Sequence, residues 1–109
     1  MHNAWNRTLA TLKASIKEMS GEQRLWARAW CLLIEDAIDG PDNGPAGSDI
    51  EGRHESRKTA RDRVLSGHDD LIVRCDMIGL NADAITDYFS NGVIKRVHIE
   101  DIYRNIKPD

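Results

Sequence analysis

Apolar residues recur at a helical period from the first turn of this chain onward. Trp5, Leu9, Leu12, Ile16 and Met19 are separated by four, three, four and three positions, which puts all five on one stripe of an amphipathic helix over about 4–19. Lys13, Lys17 and Glu18 fall off that stripe, as a solvated face requires. Ser20 followed by Gln23 fits a capping box that starts a second helix, about 21–38. There Leu25, Trp26, Ala29, Trp30, Leu32, Leu33, Ile34, Ala37 and Ile38 leave only a narrow polar strip, which predicts a helix buried on most sides or facing a partner. A chain so patterned is confined to helix-on-helix packing.

Residues 40–52, GPDNGPAGSDIEG, interrupt the periodicity with four glycines and two prolines and are expected to form a flexible loop. A third helix follows over about 54–65, offering Ala60, Val64 and Leu65 to a core. Arg53, Arg57 and Arg61 recur every four residues along it, so they share a face, with Lys58 beside them. Such a face is either solvated and laced with ion pairs or a stripe that contacts phosphates. Ser66-Gly67 closes the helix, and Asp69-Asp70 open the next, where the helix dipole favours acid.

The segment 71–90, LIVRCDMIGLNADAITDYFS, reads as two short helices joined by a tight glycine turn. A helix-turn-helix needs a small residue in its first helix, a glycine in the turn and apolar neighbours, so that the helices cross closely. Cys75, Gly79, and Ile78 with Leu80 fill those places. Leu71, Ile72, Cys75 and Ile78 should face inward from the first helix, Ile85 and Tyr88 from the second, with Asn81 as its cap. After the Asn91-Gly92 turn, residues 93–97 form either a short strand or a helix start. Ile99, Ile102, Tyr103 and Ile106 then mark a last helical stripe. The expected fold is an all-α bundle of five or six helices in one domain, 1–109: a helical hairpin over 4–38, the loop over 40–52, and a helix-turn-helix-like part over 54–107.

Charge divides the functional readings. Residues 68–92 hold five aspartates against Arg74 alone, a net charge of −4. The second helix of the motif would present Asn81, Asp83, Thr86 and Asp87; asparagine and threonine can contact bases or phosphates, whereas the aspartates repel phosphates. For double-stranded DNA the expected contacts are therefore Arg53, Arg57, Lys58 and Arg61 on one flank, Asn81 and Thr86 on the motif, and Lys95 and Arg96 on the other flank. For a protein partner they are Asp83 and Asp87, together with Trp26 and Trp30 if these form an exposed aromatic patch rather than core. Either mode is compatible with a homodimer.

The residues Thr59-Ala60-Arg61, Val64-Leu65-Ser66 and Cys75 through Ile85 resemble a module of small phage- and prophage-encoded bacterial proteins. Those chains show AR-x-W-L followed by C-x-x-x-G-L-D-x-x-x-V, after a tryptophan-containing helix similar to Trp30–Ile38 here. The likeness covers roughly half the chain, and Val64 stands where tryptophan is usual. It implies a phage-type regulatory context, since some members look like transcriptional regulators. No phosphate-binding glycine loop, HExxH or nucleophile elbow occurs in the sequence, so no enzyme and no cofactor are expected. Cys31 and Cys75 share no redox spacing and read as buried free thiols, and the four histidines form no metal-ligand pattern. With no apolar run long enough to span a bilayer and no signal-peptide core at the N-terminus, no membrane partner and a cytoplasmic location are expected.

Overall fold

Local hydrogen bonding punctuates this chain where the sequence places its caps. The computed structural model describes residues 3–38 and 51–106, with side chains described over 4–38 and 59–106. Six helices and no strand occur among them: α1 Asn3–Ile16, α2 Gly21–Ile38, α3 Glu51–Ser66, α4 Asp69–Met77, α5 Ala82–Ser90 and α6 Arg96–Ile106. The Ser20 amide donates to Gln23 Oε1 and the Gln23 amide to Ser20 Oγ, both at 3.2 Å, so the capping box closes in both directions. At α4 the cap is His68, whose Nδ1 accepts from the Asp70 amide at 3.0 Å; at α5 it is Asn81, whose Oδ1 accepts from the Ala84 amide at 2.9 Å.

The α4–α5 connection turns on Gly79, at φ +79°. In that conformation the Gly79 amide reaches back to the Asp76 carbonyl at 3.2 Å and the Leu80 amide to Cys75 at 2.8 Å, satisfying carbonyls the helix end leaves open. A Cβ would strain this left-handed backbone.

Helix α2 is the axis of the bundle, packed against α3, α4 and α6; α3 and α4 both pack on α5, and α1 lies chiefly on α6. The α1 stripe of Trp5, Leu9, Leu12 and Ile16 is buried, as are Trp30, Ile34, Val64, Leu71, Ile85, Ile99, Ile102 and Ile106. Each large side chain so enclosed contributes about 2 kcal/mol of transfer free energy. Polar pegs fix α1 in register on α6: Trp5 Nε1 donates to His98 Nδ1 at 3.1 Å, and Lys13 pairs with Asp101 at 2.5 Å.

Several expectations are corrected. α3 begins at Glu51, so the last residues assigned to the loop belong to its first turn; the rest of that loop, 40–50, lies outside the described residues. No strand forms at 93–97, because Ile94 drops into the core on an irregular segment and Arg96 and Val97 already belong to α6. Leu65 and Ile72, assigned inward, are each 41% exposed. On α2, Leu25 and Leu32 are also exposed, since three neighbouring helices still leave one open strip along it.

Candidate interaction surface

Helices α3, α4 and α5 form a three-helix unit in which α4, the Gly79 turn and α5 have helix-turn-helix connectivity. Its inner face is apolar: Val64 from α3, Leu71 and Cys75 from α4, Ile78 from the turn and Ile85 from α5 are all buried. Thr86 adds a polar staple, its hydroxyl donating to the Val64 carbonyl at 2.8 Å. That bond turns Thr86 toward α3 and occupies the hydroxyl assigned to DNA. Asn81 is exposed, but its side-chain oxygen is engaged as the α5 cap.

The outer face is acidic. Asp83 and Asp87, one turn apart, are both exposed on α5, and Asp87 accepts a hydrogen bond from Asn91 Nδ2 at 3.3 Å. Asp76 on α4 shares with Asp83 a shallow groove of roughly 500 Å³, which also takes in Ile72, Leu80 and Asn81. Among the described residues Asp69, Asp76 and Asp83 have no ion-pair partner. Beside them on α4, Val73 is 46% and Met77 36% exposed. The unit therefore presents an apolar ridge flanked by uncompensated carboxylates.

Two cations of this unit, Arg63 and Arg74, are taken up by the fold. Asp70 takes Arg63 on one carboxylate oxygen and Arg74 on the other, each at 3.0 Å, and Arg74 also donates to the Ala29 carbonyl of α2 at 2.6 Å. These partly buried, charge-assisted bonds clamp α4 between α3 and α2. Arg96 pairs with Glu35 at 3.6 Å, which ties the start of α6 to α2. Lys95 is exposed and Arg61 half-buried. Arg53, Arg57 and Lys58 lie on the α3 helix, their side chains outside the described residues.

The aromatic patch proposed from Trp26 and Trp30 does not form. Trp30 is fully enclosed in the core and offers nothing to a partner, while Trp26 is half-buried at the core margin. Both thiols are buried: burial, with the Glu35 charge adding to it, pushes Cys31 up to about 12, and burial pushes Cys75 up to about 11, so both are protonated at neutral pH. No group of three or more histidine, cysteine or acidic side chains among the described residues is placed to hold a metal ion, and no helix among them is long and apolar enough to cross a membrane.

Two features escaped the sequence. His98, which the sequence marks only as one of four histidines without a metal-ligand pattern, accepts at Nδ1 from both the Trp5 indole and the Lys95 amide, at 3.1 and 3.0 Å. No local pattern announces a contact made across 93 residues. The α4 ridge was legible in principle: a nine-residue helix with apolar side chains at 71, 72, 73, 75 and 77 carries more than one core-facing stripe can bury. In comparisons with known proteins, no family model, no curated protein and no solved structure matches this chain.

Proposed function

We propose that this chain is a small, non-enzymatic regulatory protein whose helix-turn-helix-like unit captures a basic amphipathic segment of another protein. The observation that carries the proposal is the groove that brings Asp76 and Asp83 together with Ile72, with Val73 and Met77 exposed on the same helix as Asp76, and Asp87 exposed one turn beyond Asp83. A helix-turn-helix that reads DNA brings its second helix against the duplex, where each uncompensated carboxylate near a phosphate costs on the order of 1 kcal/mol even in water. The same carboxylates favour a partner bearing lysines or arginines, and the ridge supplies the apolar contacts that carry affinity. The resemblance of residues within 59–66 and 75–85 to small phage- and prophage-encoded proteins, some of which look like transcriptional regulators, is in keeping with a regulatory setting for such capture.

A second reading keeps double-stranded DNA as the ligand. It is favoured by the continuity of α3 through Arg53, Arg57 and Arg61, whose one-turn spacing would track phosphates from the flank of the unit. Fluorescence anisotropy with two probes separates the readings: a helical peptide with leucine anchors and lysines at four-residue spacing, and a random-sequence duplex. Protein capture predicts peptide binding that Asp83→Lys with Asp87→Lys removes. Duplex binding lost in Arg57→Glu with Arg61→Glu, beside no peptide binding, would overturn it in favour of DNA.

A further inference from the structure

We infer that the open strip of α2 is a self-association surface, on which a second copy of this chain docks antiparallel about a twofold axis at Leu32, pairing each Arg28 with the partner's Asp36. This does not rest on the reading of the α4–α5 face.

Packing leaves the strip bare. α2 is enclosed by α3, α4 and α6, yet Leu25 remains 64% and Leu32 49% exposed, and Arg28 and Asp36 are exposed with them. Leu25 and Leu32 are two turns apart, so they share a line along the helix. Arg28, Leu32 and Asp36 follow one another at four-residue steps, the ridge that one helix offers another in the commonest mode of helix packing. Leu32 stands between two depressions. One is lined by Cys31, Glu35, Ile99 and Tyr103, and the other by Leu33, Asp36, Arg63 and Arg74.

The charges select the occupant. Among the described residues Arg63 and Arg74 are matched with Asp70 and Arg96 with Glu35, while Glu100, at the rim of the first depression, has no ion-pair partner. Asp36 has no ion-pair partner, and Arg28 has no carboxylate. Arg28 is nevertheless held in place: its guanidinium lies 5.5 Å from the Tyr103 ring centre and donates to the Tyr103 hydroxyl through two nitrogens, at 3.2 and 3.0 Å. Arg28 and Asp36, the pair on the α2 ridge itself, are of opposite sign and lie about 6 Å along the axis on either side of Leu32.

An antiparallel copy with its twofold at Leu32 sets Arg28 opposite the partner's Asp36 and Asp36 opposite the partner's Arg28, while the two leucines meet at the centre. A parallel twofold would oppose arginine to arginine and aspartate to aspartate. Self-complementarity of this kind is what an isologous dimer requires. Arg28, already ordered by Tyr103, loses little further freedom on pairing.

Sedimentation velocity across the micromolar range tests this. The native chain should sediment as a concentration-dependent dimer, and Leu32→Asp should sediment as a monomer. Arg28→Glu or Asp36→Arg alone places like charges at both contacts and should weaken self-association about tenfold or more. An equimolar mixture of the two single variants restores both opposite pairs in a heterodimer, so dimers should reappear on mixing. That recovery also shows that each variant is folded. A native chain monomeric throughout the range would overturn the inference, as would a dimer indifferent to Arg28→Glu, or single variants that do not rescue one another.

Discussion

Replacing His98 by leucine should destabilise the protein near neutral pH and much less in mild acid. The neutral imidazole accepts at Nδ1 from the Trp5 indole and from the Lys95 amide, and its ring lies edge-on to Trp5 with centres 5.7 Å apart. Leucine leaves the buried Trp5 indole N–H without its acceptor, at a cost of about 1–3 kcal/mol, whereas the exposed Lys95 amide can turn to water. In a domain of this size each kcal/mol shifts Tm by roughly 4–8 °C. Burial, then the nearby charges of Lys95 and Lys13 against an opposing Asp101, holds the folded His98 below its ordinary value of 6.5. A base whose pKa is lowered by folding contributes fully above the unfolded value and loses that contribution as pH falls through 6.5 toward the folded value. The difference in Tm between the native chain and His98→Leu should therefore be largest above neutrality and shrink on acidification. Thermal melts followed by circular dichroism from about pH 8 to about pH 5 make the measurement. A difference that stays constant or widens in acid would refute the neutral-acceptor geometry at α1–α6.

Gly79→Ala should cost about 1–2 kcal/mol in urea denaturation, all of it from the left-handed backbone, because an added Cβ meets nothing within 4 Å. A neutral substitution would mean that the α4–α5 turn does not hold φ near +79° in solution. Cys31 and Cys75, buried and raised to about 12 and about 11, should resist a thiol reagent at mildly alkaline pH in the native state and react once unfolded; rapid native labelling would show that the core around Trp30 opens readily.

Elements of this fold were legible wherever one local cause sufficed. The α2 boundaries follow from the Ser20–Gln23 box and from the end of the apolar run at Ile38, and the turn at Gly79 follows from its place between Cys75 and Asn81. The acidic outer face was legible too, because Asp83 and Asp87 lie one turn apart on a helix whose buried side is set by Ile85. Which of several apolar residues face inward was less legible. Ile72 and Leu65 lie at helical spacings as good as those of Leu71 and Val64, and only the directions from which α2 and α5 approach decide between them.

By itself the sequence determined a helical bundle, its breaks and caps, and a net charge of −4 over 68–92, because periodicity, capping and charge are properties of neighbours along the chain. Tertiary structure decided which charges remain available. Arg63, Arg74 and Arg96 are drawn into ion pairs with Asp70 and Glu35, whereas Asp76, Asp83 and Asp36 keep no ion-pair partner among the described residues. It also enclosed Trp30, bared Leu25 and Leu32, and made His98 an acceptor for Trp5. Those outcomes depend on the three-dimensional order of six helices, since a side chain's partners are fixed by what packs against its helix rather than by what precedes it in the chain.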